Sequence, residues 1–166
     1  MFVDPKTFVL VHVVLSLVGI FAGLVVVGGL MAGVRFGRWT GVFLATTILT
    51  SLTGFGFPFV RLLPSHIVGV LSLFVLAGAV AALYLKRLEG AWRPSFVVLS
   101  VIALYLNVFV LLAQLFQKIP AMAMLAPGPD APAFAVTQGL VLVLFVGLGW
   151  AAARGFRNVR VGLRAA

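Results

Sequence analysis

The sequence predicts an all-α integral membrane protein, a bundle of five transmembrane helices whose first four form a pseudo-repeated pair of hairpins. Three observations carry this. Hydrophobic residues make up 63% of the chain and charged residues only 9%, against about 25% charged in an ordinary soluble domain. Mean hydropathy is +1.25. The few charges fall between five apolar runs, residues 7–32, 39–60, 66–85, 95–117 and 134–153, each close to or above the roughly 20 residues a spanning helix needs.

Each run has its own boundary signals. Asp4-Pro5 reads as the start of the first helix, with Asp4 capping and Pro5 in the first turn. This run is too long for a cleaved signal, whose apolar region is about 7–15 residues, and a single Lys precedes it. The second run closes on Thr53-Gly54-Phe55-Gly56-Phe57-Pro58-Phe59, where glycine and proline loosen the last turns. The third opens just after Pro64 and stops at Lys86-Arg87, and the fourth runs from Ser95 to Gln117. Between the fourth and fifth, residues 119–126 are apolar and suit the membrane surface or a cap on the bundle. Pro127-Gly128-Pro129-Asp130-Ala131-Pro132 is a turn-rich loop. The 166 residues form a single transmembrane domain, with no room for a soluble one.

The net charge of +9 is a topology signal rather than a nucleic-acid footprint. Arg35, Arg38, Lys86, Arg87, Arg93, Arg154, Arg157, Arg160 and Arg164 fall on one side of the alternating runs, and only Lys6, Arg61 and Lys118 on the other. The positive-inside rule places the N-terminus outside and the C-terminus in the cytoplasm. No basic patch is interleaved with aromatics as single-strand binding requires. The expected partner is the bilayer, with a homo-oligomer or a membrane partner protein as a further expectation. Arg154, Arg157, Arg160 and Arg164 share one broad face if the last helix continues, and are expected to meet anionic lipid headgroups.

Two hairpins match in order. His12-Val13-Val14-Leu15-Ser16-Leu17 runs beside His66-Ile67-Val68-Gly69-Val70-Leu71-Ser72-Leu73. Gly37-Arg38-Trp39 runs beside Gly90-Ala91-Trp92-Arg93. Phe59-Val60-Arg61 before Pro64 matches Phe116-Gln117-Lys118 before Pro120. This is the pattern of a tandem repeat in one orientation.

Residues 53–73 (TGFGFPFVRLLPSHIVGVLSL) and 103–121 (ALYLNVFVLLAQLFQKIPA) resemble small uncharacterised bacterial multi-pass inner-membrane proteins. The resemblance extends over most of the chain and implies a bacterial inner membrane. It implies no activity, cofactor or catalytic residue.

Polar residues recur at helical spacing and should face the bundle interior, since facing lipid is costly. The stripes are His12, Ser16, Gly19, Gly23 on the first helix and Thr46, Thr50, Thr53 on the second. They are Ser65, Gly69, Ser72 on the third and Ser100, Ala103, Asn107, Val110, Gln114, Gln117 on the fourth. With Gln138 of the fifth helix, most of these groups fall in the outer halves, and Asn107 is the deepest. A pocket open to the outside produces that asymmetry. Its expected lining is Ser16, Thr50, Thr53, Ser65, Asn107, Gln114, Gln117 and Gln138. A set of packing surfaces, with each hydroxyl bonding its own backbone, is the alternative.

His12 and His66 are the sharpest candidates for chemistry. Facing each other, two imidazoles suit a six-coordinate haem b, with Arg61 and Lys118 near the propionates. With glutamines they suit a transition metal such as copper or zinc, and a quinone contact is a further option. Two separate structural histidines are the simplest alternative. The absences narrow the field. With no cysteine, thiolate catalysis and iron–sulfur ligation are excluded. No Asp or Glu falls inside an apolar run, which removes support for carboxylate proton relays and two-carboxylate hydrolases. No phosphate-binding loop or Ser-His-acid nucleophile motif occurs, so no enzyme activity is indicated. Three functions stay open: a binding protein with an outward pocket, a haem- or quinone-linked redox protein, and a small oligomeric transporter or channel.

Overall fold

In the computed structural model the described residues are 4–57, 64–125 and 131–157, without the side chains of residues 64 and 65. Among them every regular element is helical. The helices are α1 (Pro5–Met31), α2 (Gly37–Gly54), α3 (Pro64–Val80, prolonged by one π-helical turn, Ala81–Leu85), α4 (Trp92–Lys118), α5 (Pro120–Leu125) and α6 (Pro132–Arg157). Among the described residues four stretches are long and apolar enough to cross a membrane: Pro5–Met31, His66–Leu85, Trp92–Lys118 and Pro132–Arg157.

Local chemistry sets the boundaries. The Asp4 carboxylate accepts from the Thr7 amide at 3.2 Å, with Pro5 in the first turn, so an otherwise orphaned amide is satisfied. α1 closes where Gly33 takes a φ of +74° and the Val34 amide reaches back to the Gly29 carbonyl at 2.8 Å. A left-handed residue there lets the chain cap the last carbonyls. After the π turn, Arg87 and Leu88 are left-handed (φ +48° and +59°). The cost of two such residues is offset by Leu88, which tucks under the bundle (7% exposed) and bonds the Ala82 carbonyl at 3.0 Å.

Two boundaries differ from the sequence expectation. α2 ends at Gly54 rather than at residue 60. Gly54 and Gly56 weaken helix propensity, and the Phe55 and Gly56 amides turn to carbonyls three residues back. Residues 58–60 lie outside the described residues. The expected loop after α4 contains a helix, α5, whose Met124 and Leu125 are 78% and 69% exposed. Among the described residues, α2 is also the one expected span that is not among the four long apolar stretches. It has 18 residues, about 27 Å at 1.5 Å per residue, and carries Arg38 and a face of Thr and Ser.

Helices α1 to α4 form a ring: α1 packs on α2, α2 on α3, α3 on α4, and α4 back on α1. α6 lies in the groove between α1 and α4, sealed to α4 by Tyr105 against Phe145 and Phe109 against Phe134. The solid core sits at one end. Val26 and Leu30 of α1, Phe43 of α2, Leu76 of α3, and Phe96 and Leu104 of α4 are at most 2% exposed. These positions come from the C-terminal halves of α1 and α3 and the N-terminal halves of α2 and α4, which an up-and-down ring brings to the same level. The packed end also carries the basic loops and all three tryptophans. The opposite end is where the bundle opens.

Candidate functional site

At that opposite end the four ring helices enclose a cavity of about 500 Å³, within the range of small-molecule sites. Its walls are mostly aliphatic and aromatic, with Leu17, Leu106, Leu111, Phe55 and Phe57 among them. Each helix adds polar groups: His12 and Ser16 from α1; Thr47, Thr50 and Ser51 from α2; His66 and Ser72 from α3; Asn107, Gln114 and Lys118 from α4. Among the described residues no Asp or Glu lines it.

The histidines occupy different surroundings within this cavity. His12 is half-buried, its Nδ1 lies 2.8 Å from Thr53 Oγ1, and its ring meets Phe57 edge-on at 5.1 Å. His66 is buried, with its ring 6.1 Å from that of Phe55. Among the described residues no group of three or more His, Asp or Glu gathers. A metal here would therefore take the two imidazoles and neutral oxygen or nitrogen ligands.

Deeper in, Ser16 donates to Asn107 Oδ1 at 3.0 Å. Asn107 Nδ2 stays buried with no hydrogen-bond partner among the described residues, and so do Thr47 Oγ1 and Thr50 Oγ1. An unpaired buried polar group costs about 1–3 kcal/mol, and these three atoms are sealed behind the cavity wall, each with under 1 Å² of accessible surface. Ser100 Oγ and Gln138 Oε1 are also unpaired, but neither residue lines the cavity. Gly19 brings two of the three together. A side chain starting there would stand 3.1 Å from Thr47 Oγ1 and 3.2 Å from Asn107 Nδ2.

Of the residues expected to form a pocket, Ser16, Thr50, Asn107 and Gln114 line the cavity together with both histidines. Thr53 stands behind His12 and orients its ring. Two residues are placed elsewhere. Gln117 is exposed at the end of α4. Gln138 is buried between α6 and α4, where its Nε2 donates to the Phe109 carbonyl at 3.2 Å. Gln138 misses the cavity because α6 packs on a face of α4 other than the one that meets the ring interior. The side chain of Ser65, and Arg61, lie outside the described residues. Ser72, expected on the inward stripe of the third helix, lines the cavity as well, and Thr47 does so although it was not expected. The spacing Thr47, Thr50, Ser51, Gly54 is the i, i+3, i+4, i+7 signature of one helix face. It competed with Thr46, Thr50, Thr53, and Thr46 instead bonds the Val42 carbonyl at 2.7 Å.

At the packed end, cations stack on aromatic rings. The Arg154 guanidinium sits 3.8 Å from the centre of the Trp150 ring, Lys86 lies over Trp92 and Arg93 over Phe156, both at 5.6 Å. Arg154 and Arg157 form the last turn of α6, and Arg160 and Arg164 lie outside the described residues. The chain matches no protein-family model, no curated protein and no solved structure.

Proposed function

We propose that this is a five-span protein of a bacterial inner membrane that binds a small, mostly apolar molecule in the cavity at its periplasmic end. The observation that carries the binding reading is a cavity of about 500 Å³ with mostly apolar walls, to which each of the four ring helices adds polar residues. Cavities with apolar walls and a few convergent polar groups are the usual form of small-molecule sites. With Lys118 in the lining and no Asp or Glu among the described lining residues, a cationic occupant is disfavoured.

Several features support the membrane setting. α6 presents Val136, Leu140, Val143 and Val146 outward at 60–71% exposure, a surface suited to lipid. Trp39, Trp92 and Trp150 are exposed at the basic end, where aromatic residues mark a membrane interface and basic loops mark the cytoplasmic side. α2 acts as the fifth span by sheltering its polar face inside the ring. The α1–α2 and α3–α4 hairpins are read as copies of one ancestral unit, with α6 as an addition.

The topology has a direct test. A reporter fused after Ala166 is expected to be active only as a cytoplasmic marker, and activity as a periplasmic marker reverses the assignment. The binding reading is tested by native mass spectrometry of the protein released from membranes. Wild type is expected to carry an apolar adduct. Ser72→Phe, which fills the cavity, is expected to lose it while keeping the elution profile of the folded protein. The same adduct on both proteins rejects the cavity as its site.

A second reading, a haem-binding redox protein using His12 and His66, is favoured by both imidazoles lining one cavity. A Soret band abolished by His12→Ala is its signature. A third, transport through one bundle, has less support because Phe43, Phe96 and Leu104 fill the other end. A channel would need several copies.

A further inference from the structure

The face of α4 that lines the cavity changes character along its length. Leu106, Val110, Gln114 and Lys118 recur every four residues and all belong to the lining. They share one broad helix face and span about 18 Å at 1.5 Å per residue. The inner part of this face is apolar and the outer part is polar, then charged. Lys118 lines the cavity and yet is exposed as a whole residue, which puts it at the mouth. A lysine in such a place lays its stem along the apolar wall and keeps its ammonium in the wet. Lys118 also stands in the last turn of α4, where the helix dipole favours a cation.

Among the described residues no carboxylate of the cavity answers this charge. The chain has three acidic residues. Asp4 caps α1 through the Thr7 amide, Glu89 lies in the loop at the packed end, and Asp130 lies outside the described residues. The neutral polar residues towards the mouth are His12 in the second turn of α1, His66 in the first turn of α3, and Gln114 one turn below Lys118. Each carries an N–H. One cation among neutral donor groups, set above apolar walls, is complementary to an anion that carries a hydrocarbon chain.

The bilayer sharpens this choice. A hydrocarbon chain gains little by leaving lipid for an apolar cavity, because lipid tails are as apolar as leucine. Any preference must come from the head group. We infer that the cavity takes a single-chain amphiphile with an anionic head, a long-chain carboxylate such as a fatty acid. Its head lies at Lys118 and its chain runs inward towards Leu17 and Leu106 of the lining. A volume of about 500 Å³, in the lower half of the range for small-molecule sites, suits one chain rather than the two of a membrane lipid. The inference rests on the small-molecule reading of this cavity and names the class of molecule and its orientation. A single-chain phospholipid with an acidic head shares this chemistry, and the test separates the two sources.

The test uses the full chain in phosphatidylcholine nanodiscs at about pH 9, where a carboxylic acid is ionised and lysine keeps its proton. The probes share one chain length: dodecanoate, lauroyl lysophosphatidylglycerol, dodecanol and dodecyltrimethylammonium. Native mass spectrometry reads the bound fraction, referred to the concentration of each probe in the bilayer. At least one anionic probe is expected to bind about fivefold tighter than dodecanol, the upper worth of an exposed ion pair, and the cationic probe more weakly than dodecanol. The tighter anion identifies the source. Lys118→Gln should remove the anion's advantage and leave dodecanol unchanged, and Lys118→Arg should keep it. Lys6→Gln, which takes a cation from the same end but not from the lining, should keep it too. If Lys6→Gln erases the advantage as fully as Lys118→Gln, surface charge in general explains it and the inference falls. It also falls if neither anion outbinds dodecanol, or if Lys118→Gln retains the full advantage. In each of these cases, loss of binding in Ser72→Phe keeps the cavity as a small-molecule site. Binding of none of the four, or binding that Ser72→Phe leaves intact, overturns the inference and the small-molecule reading together.

Discussion

Replacing Gly155 with alanine is expected to destabilise the bundle by about 3 kcal/mol, the upper end of ordinary overpacking. Gly155 lies where α6 crosses the end of α1. A Cβ there would collide with the main-chain oxygen of Met31 and crowd that of Leu30. Neither atom can swing aside as a side chain could, so α6 would have to move as a whole. Such a move would also unseat Ala152 and Phe156, which are 0% and 3% exposed. In lipid, where water does not press helices together, close backbone approach at small residues holds helices in contact. Gly139 and Gly147 on the same helix are the controls. Nothing stands within 4 Å of a Cβ at either, so alanine there should be neutral or stabilise by up to about 1 kcal/mol through helix propensity. Denaturant unfolding in detergent, followed by circular dichroism, measures all three. If Gly155→Ala unfolds with the controls, the α1–α6 crossing is not a close contact.

The second large effect is expected at Gly23, and its test is a double-mutant cycle. A Cβ at Gly23 would stand 2.6 Å from Leu104 Cδ1 and 2.9 Å from two ring carbons of Phe43. Both neighbours are fully buried, so neither has free space to enter. Gly23→Val should therefore cost about 2 kcal/mol. Leu104→Ala alone leaves a void and should cost about 2–5 kcal/mol. Together they should cost at least about 1 kcal/mol less than the sum, because the valine occupies the space the leucine leaves. Strict additivity of the two would place Gly23 away from the α4 contact. Both glycines belong to the packed end or its edge, so neither substitution touches the cavity lining.

The stripe that ran through Gly19 and Gly23 was legible in the sequence, because small residues four apart mark one helix face whatever packs on it. What packs on it was not. Gly23 meets a leucine of α4 and a phenylalanine of α2, and only the ring arrangement brings those two to one point. Polar residues behaved in the same way. The clustering of His12, Thr50, Asn107 and His66 towards one end follows from alternating helix direction, so it could be read from order along the chain. Which hydroxyls are spent on their own backbone depends on rotamers that neighbouring helices impose. Thr46 and Thr47 are adjacent and chemically identical, yet the hydroxyl of one is satisfied within its helix and that of the other is buried without a partner. Gln138 shows the converse. It has the depth and chemistry of a pocket residue, but α6 lies outside the ring, and depth alone does not reveal which side of α4 a helix occupies.

By itself the sequence determined that this chain is helical and apolar enough to enter a membrane, where its helices begin and end to within a turn or so in most cases, and that its cations gather at one end. These are properties of local composition, capping and hydropathy, and each is decided within about 20 residues of chain. The tertiary structure decided the rest: the closing of α1 to α4 into a ring, the placing of α6 outside it, and the division into a packed end and a hollow end. In an apolar chain almost every residue is compatible with burial and with lipid, so hydrophobicity does not choose among helix arrangements. Shape does, through a few glycines and the fit of residues such as Phe43 and Phe96. Where large side chains from all four ring helices meet, the bundle is solid. Where Ser16, Thr47, Gly69 and Ser72 stand in their place, it encloses a cavity.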